Sequence, residues 1–334
     1  MSIKANKGEW GEPYVAIRVL GERKLYIADA DGNKNPHEWM DIVELIRHET
    51  MERIVTYRCK EEDLLIDIDV NGKLVLSVSA SEFLAMADKL AAEIKSAKGS
   101  SFNVSEDITD FLTKIELKHI KAKSIDKSDV FLSVRDPRAS ITRKHIGFSI
   151  KSEFGQNPTL FNTAKASAVV YKVTGMTDEL MDKVNSLVDE KGHAAVSERC
   201  DTMVANGCSF EFVGFPIASR AGVAAFEENL DMIDSRLPKV IECMLWDHFF
   251  NHESRVDLDV VTKKVAEKNP CGITRPEVKY EYMMKSFIYA SYCGMTASTL
   301  WDGNSQVNGG FIKVNADGEV VAHYALESDA FKSY

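Results

Sequence analysis

No stretch of this 334-residue sequence reaches the roughly 18 consecutive apolar residues of a bilayer-spanning helix, so no membrane partner is expected. The opening segment, Met1 to Lys7, is polar and lacks the apolar centre of a secretory signal. A cytoplasmic, intracellular protein is the expectation. Six cysteines (Cys59, Cys200, Cys208, Cys243, Cys271 and Cys293) include no C-x-x-C pair. They read as reduced, mostly buried thiols, which argues against a disulfide framework or zinc on cysteine pairs. There is no P-loop and no G-x-G-x-x-G; Gly21 and Gly32 are isolated turn glycines. Internal repeats, low-complexity tracts and Pro/Ser-rich linkers are also missing. With 45% hydrophobic and 28% charged residues, the composition is that of a folded globular chain.

Positive charge is short overall. Lys and Arg number 41 against 51 Asp and Glu, a net charge of −10, which by itself argues against a phosphate-coated partner. One segment reverses this balance. Between Lys114 and Lys151 lie Lys118, Lys121, Lys123, Lys127, Arg135, Arg138, Arg143 and Lys144, opposed by Glu116, Asp126, Asp129 and Asp136. Screening over about 8 Å at physiological salt lets a polyanion sense this patch more than the distant net charge.

Local patterns outline the elements. Pro36-His37-Glu38 opens a predicted helix with Trp39, Ile42, Val43 and Ile46 on one face. Asp63–Val70 and Lys73–Ser79, joined by Asn71-Gly72, predict a β-hairpin with a type I′ turn. Asp67 and Asp69 share one of its faces and are expected in solvent. Ser79-Ala80-Ser81-Glu82 is a capping box that starts a helix with Phe83, Ala87, Leu90 and Ile94 on one stripe. A shorter helix is expected over 105–119. Strand-length apolar runs follow at 129–134, 146–151 and 168–173, and helical patterns at 177–190, 223–236, 238–252 and 277–293. The last of these carries a core stripe of Tyr280, Met283, Met284, Phe287 and Tyr289. A C-terminal hairpin turns at Asn315-Ala316-Asp317-Gly318. The expected fold is α/β (α+β): a mixed sheet flanked by helices in residues 1–175, then a mainly helical part with that hairpin in 176–334.

One constellation carries chemistry. Ser128-Asp129-Val130 opens one strand and Gly147-Phe148-Ser149-Ile150-Lys151-Ser152-Glu153 lies in the next. Alternation puts Ser149, Lys151 and Glu153 on one face and Phe148, Ile150 and Ser152 on the other. Paired strands would set Asp129 beside Lys151. A carboxylate that holds Mg²⁺, a lysine beside the attacking water and a second carboxylate are what phosphodiester hydrolysis needs. Glu9 and Glu12 lie three apart, as on one helical face. Pro13 suits a first helical position, with Glu12 then as the cap.

Taken in order along the chain, these residues resemble the HpaII-type restriction endonucleases. The resemblance rests on Asn6-Lys7-Gly8-Glu9-Trp10 with Glu12; Leu25-Tyr26-Ile27-Ala28-Asp29; Ser128-Asp129-Val130 with Arg135-Asp136-Pro137-Arg138; and Gly147 to Ser152 followed by Pro158-Thr159-Leu160-Phe161-Asn162. Trp301-Asp302-Gly303 and Gly309 to Val314 complete it. It implies a PD-(D/E)XK nuclease core in 1–175 and a DNA-recognition or dimerisation part in 176–334. It also implies a Mg²⁺-dependent type II enzyme of bacterial or archaeal cytoplasm that cuts double-stranded DNA at CCGG. Asp129 matches the metal-binding aspartate and Lys151 the catalytic lysine. Ser149 fills the usual acidic slot, so Glu153 or Glu12 is expected to replace that acid in the metal shell. Arg135, Arg138, Arg143, Lys144, Ser149 and Asn162 are candidate DNA contacts. For base reading, Arg220, Arg236, Arg255 and Lys263 are available in the helical half. A palindromic target favours a homodimer, and a cognate DNA methyltransferase is the implied companion. Two other readings stand beside this one: a catalytically inactive sequence-specific DNA-binding protein, motivated by Ser149, and a structure-specific repair nuclease of the same fold.

Overall fold

The structure is a computed structural model that describes residues 4–29, 31–99, 101–121, 128–137, 140–155, 165–218, 222–252, 257–304 and 307–324. In chain order the elements are β1 (Lys4–Ala5), α1 (Gly11–Glu22), β2 (Lys24–Ala28), β3 (Lys34–His48), β4 (Ile54–Cys59), β5 (Leu65–Val70), β6 (Lys73–Ser79) and α2 (Ala80–Ser96). Then come β7 (Phe102–Asn103), α3 (Glu106–Lys114), β8 (Val130–Asp136), β9 (Ile141–Ser152), β10 (Val170–Thr174), α4 (Asp178–Ser186), α5 (Val196–Ala205) and β11 (Ser209–Gly214). The chain continues with α6 (Ala225–Ile233), α7 (Leu237–Phe250), α8 (Leu258–Lys268), α9 (Pro276–Tyr292), β12 (Gly310–Val314) and β13 (Val320–Tyr324). They fall into two compact units. The first takes the described residues of 1–160, 292–294 and 305–334, the second those of 161–291 and 295–304.

The first unit is built on a mixed sheet, with strand order β2-β13-β12-β9-β8-β3-β4-β5-β6 among the described residues. The β9–β12 and β13–β2 pairs are parallel and the other neighbours antiparallel. Because β2 also pairs with β3, six strands close a hydrogen-bonded ring, and β4, β5 and β6 extend from it. The C-terminal hairpin, distant in sequence, therefore belongs to the same sheet as β9. One continuous core fills this unit, including Tyr14, Ile17, Leu45, Tyr57, Phe83, Leu90, Phe148 and Ile312.

Several local patterns act as their chemistry dictates. Asn71 and Gly72 have φ of 49° and 78°, the two positive values a type I′ turn needs and glycine adopts without strain. Ser79 caps α2, its hydroxyl accepting from the Glu82 amide at 3.3 Å. Tyr280, Met283, Met284 and Phe287 are buried, as the stripe implied, whereas Tyr289 is only half-buried and Ala290 takes the next core position.

The segment after Pro36 is not a helix. It is the first half of β3, which pairs with β2 and β4 on one edge and with β8 on the other. Its register slips between Ile42 and Glu44, and the buried positions run Met40, Ile42, Leu45, Ile46 and Arg47. This bulge breaks the two-residue period and imitates a helical spacing. Helix α1 begins at Gly11, after Trp10 and not at Pro13, which places Glu12 in the first turn instead of at the cap. Glycine is needed here, because a Cβ on Gly11 would lie 2.7 Å from the Ser152 Cβ of β9. Helix α3 stops at Lys114, short of His119; Glu116 is left-handed, at φ 65°, and turns the chain toward the end of β3. Asp69 is 5% exposed and paired with Arg58, so it is not a solvent-facing acid; Asp67 is held by Ser77 and Lys60.

The second unit carries the β10–β11 ribbon and helices α4 to α9. Its β11, α5 and α8 have no counterpart in the sequence expectations. Rings from Tyr171, Phe210, Trp246 and Phe250 meet one another, with Trp246 and Phe250 stacked at 3.9 Å.

Candidate active site

Strands β8 and β9 pair antiparallel, with Val130 opposite Phe148. Asp129 sits at the entry to β8. Its amide donates to the Phe148 carbonyl at 2.9 Å, and its carboxylate Oδ2 accepts from the Ile150 amide at 2.6 Å. The carboxylate thus substitutes for a ladder acceptor, which locks it against β9. Burial pushes the Asp129 carboxyl above the ordinary aspartate range; the Ile150 amide and the charges of Lys151, Arg47 and Lys121 act against that rise. The expected juxtaposition of Asp129 and Lys151 is present.

The face of β9 that carries Lys151 continues across β12 and β13. Lys313 is in register with Lys151, and Phe311 with Ser149. Neighbouring positions in register share a face, so two lysines lie side by side there. Glu153 answers this charge with Oε1 at 3.1 Å from Lys313 Nζ. The Ser149 hydroxyl is buried and makes no hydrogen bond among the described residues. His323 of β13 stacks on Phe311 at 4.4 Å. Burial, with the Lys313 charge adding to it, lowers its pKa to about 4.

Glu12 comes to the site from α1. Its Oε2 lies 3.8 Å from Nη1 of Arg47, a guanidinium only 1% exposed whose charge also acts on Asp129. Lys121 closes the other side. Its Nζ is 2.9 Å from Glu9 Oε1, and Glu9, Glu12 and Asp129 together raise its pKa, the Glu9 hydrogen bond being the largest cause. Glu9 is occupied with this and with a reciprocal turn: its carboxylate accepts from the Asn6 amide at 2.9 Å and its amide donates to Asn6 Oδ1 at 2.8 Å. Its carboxyl is held below the usual range, first by the Asn6 amide and then by Lys121.

Among the described residues, no three acidic, histidine or cysteine side chains gather as a protein-only metal cage. Mg²⁺ does not require one, since it is often bound through one or two carboxylates, waters and substrate phosphates. Asp129, desolvated among cations, and Glu12 are oxygen donors of that kind, and the hydroxyl of Ser149 has its oxygen unspent.

The candidate DNA contacts fare unequally. Arg135 is bound to Glu61 at 3.1 Å and Asp41 at 3.5 Å. Lys144 is exposed, and Arg143 is half-buried, its Nε without a hydrogen-bond partner among the described residues. Arg138 and Asn162 lie outside the described residues, as do Lys123, Lys127, Arg220 and Arg255. Arg236 forms a double contact with Asp234 at 2.8 and 2.6 Å, and Lys263 pairs with Asp259 at 3.3 Å. Arg47 escaped sequence reasoning because β3 read as a helix; as a strand, the Arg47-x-Glu49 spacing would have put both charges on one face.

The family model described as HpaII restriction endonuclease matches residues 6–334. The chain is also similar to the type II restriction enzyme HpaII of Haemophilus parainfluenzae, with 29% identity over 335 residues, covering 99% of this chain and 88% of that enzyme. No solved structure matches.

Proposed function

The chain belongs to the HpaII restriction endonuclease family, and from that premise we propose that it makes Mg²⁺-dependent double-strand cuts at CCGG. As a type II restriction endonuclease it is a site-specific deoxyribonuclease that binds DNA. The observation that carries the finer reading is the Asp129 carboxylate, half-buried and locked onto β9 with the Lys151 charge acting on it. This is the arrangement of the PD-(D/E)XK nucleases, to which we assign the first unit.

In the reaction, water oxygen bonds to phosphorus as one P–O ester bond breaks, and the departing oxygen takes up a proton. Lys151 orients the attacking water and offsets negative charge growing on the phosphoryl oxygens. Asp129 and Glu12 are the residues that would hold Mg²⁺, and Glu153, engaged by Lys313, is the less favoured replacement for the missing acid. A bound divalent ion would polarise the scissile phosphate and lower the pKa of its water. Lys121 and Lys144 supply phosphate contacts around the cut.

A CCGG palindrome calls for a two-fold homodimer, with the second unit in base recognition and a cognate methyltransferase protecting host DNA. Among the described residues no helix is long and apolar enough to cross a membrane; a cytoplasmic location is part of this proposal. Digestion of unmethylated phage DNA, with Mg²⁺ and with EDTA, followed by sequencing of the ends, tests it. Discrete fragments ending at CCGG only with Mg²⁺ are expected. Intact DNA with a gel shift on a CCGG duplex would replace it with the binding-protein reading.

A further inference from the structure

We propose that Arg47 is a positioning residue of the cutting centre: with Glu49 it fixes Glu12 and the segment of residues 118–121 around Asp129. The inference rests on the assignment of Asp129, Lys151 and Glu12 to that centre.

The geometry is a two-sided clamp at the end of β3. Arg47 Nε donates to Glu49 Oε1 at 2.8 Å, and Nη2 donates to the carbonyls of His119 at 2.7 Å and Ile120 at 2.5 Å. Glu49 grips the same segment from its amide side. Its Oε2 accepts from the amides of Lys118 at 3.0 Å and His119 at 2.8 Å and lies 2.9 Å from His119 Nδ1. The remaining arm of the guanidinium faces Glu12 at 3.8 Å. Directly after the clamped carbonyls comes Lys121, on Glu9. One buried cation thereby sets the place of an acid from α1 and of a lysine-bearing segment more than 70 residues away in sequence.

A buried ion pair is a poor device for stability alone, because apolar residues of equal volume serve as well or better. A planar fork that serves a carboxylate and two carbonyls at once is a good device for position. A misplacement of about 1 Å of working groups costs on the order of a hundredfold in rate. Lysine at 47 keeps the charge and cannot make the fork.

The test uses the full chain. Arg47→Lys is expected to bind a CCGG duplex in Ca²⁺ within about threefold of the native affinity, to keep KM, and to lose about a hundredfold in kcat with Mg²⁺. In a cycle with Glu12→Gln, the double variant is expected to lose clearly less than the product of the two single losses, the remainder reflecting the grip on residues 118–121. A folded Arg47→Lys with native kcat, or losses that multiply in the cycle, overturns the proposal. Should Arg47→Lys not fold, Glu49→Gln keeps an acceptor for Arg47 but loses its grip on the amides; about a tenfold loss of kcat is expected, and native kcat overturns the proposal. Failure of both to fold makes the clamp purely structural and overturns it too. Glu12→Gln and Lys151→Ala run alongside. Native cutting by those two removes the site assignment itself, whereas their inactivity beside a fully active Arg47→Lys removes this inference alone.

Discussion

The two units hold together differently. The first has one unbroken aliphatic and aromatic core reaching from Ala5 to Tyr324, with Trp10, Tyr57, Phe83 and Phe148 fully enclosed. The second relies on helix stripes such as Val240, Met284 and Phe287, and on half-buried rings that lean on one another around Trp246. Its ribbon turns Val213, 62% exposed, toward solvent. A group proposed to work in catalysis, as Asp129 is, has to be held within fractions of an ångström, and a closed, densely packed sheet does that. A part proposed to adapt to DNA gains from weaker local stability.

The largest expected effect would sharpen the contrast between a rigid site and its function. Lys151→Ala and Asp129→Asn should each lower plasmid cleavage by about a thousandfold or more, while circular dichroism remains native. Asp129→Asn should also melt at a higher temperature. Burial raises the Asp129 pKa in the folded state, so folding holds that proton more tightly than the unfolded chain does. Its ionisation therefore costs stability as pH climbs through the raised value. The advantage of the asparagine should be greatest at pH 8 and vanish below the ordinary aspartate pKa near 4. An unchanged melting temperature across that range would sink the argument.

Next in size is a pair of core truncations followed by urea unfolding. Phe83→Ala should cost about 3–5 kcal/mol. Trp246→Ala, at a half-buried position, should cost about 2 kcal/mol. Equal losses would break the comparison.

A pH effect confined to the first unit comes third. His323 is buried and its pKa is depressed to about 4. The unfolded chain takes up that proton below about pH 6.5 and the folded chain does not. Stability is thus complete above pH 6.5 and falls as pH drops toward 4, by up to about 3 kcal/mol. Protection from hydrogen exchange, taken relative to the intrinsic rate at each pH, should fall in β12 and β13 over that window and hold in β10 and β11; His323→Phe should abolish the change. The smallest effect is expected at Glu153. Because Lys313 holds it, Glu153→Ala should alter cleavage less than tenfold, whereas Glu12→Ala should lose about a hundredfold. The reverse order would move the second metal ligand to Glu153.

How much was readable in advance depended on how local each signal was. The Asn71-Gly72 turn, the Ser79 cap and the strands around Asp129 and Lys151 were each written in neighbouring residues. The course of β3 was not. Its bulge between Ile42 and Glu44 shifts the buried face by one residue, and the apolar spacing then satisfies a helix as well as a strand. Nothing in the residues around Arg47 points to the carbonyls of His119 and Ile120.

What the sequence determined by itself was the short-range set: turns, caps, helix stripes, the order of motifs that marks the family, and the candidacy of Asp129 and Lys151 for the proposed site. Tertiary structure alone decided the rest. It put Glu12 in the first turn of α1 rather than at its cap, bound Glu153 to Lys313, brought the C-terminal hairpin beside β9, and drew Arg47 and Glu49 around residues 118–120. The reason is physical. A turn or a cap is fixed by torsions and hydrogen bonds within a few residues. Strand register and buried charge pairs are fixed by which distant surfaces leave water together, and that is settled only when the whole sheet closes.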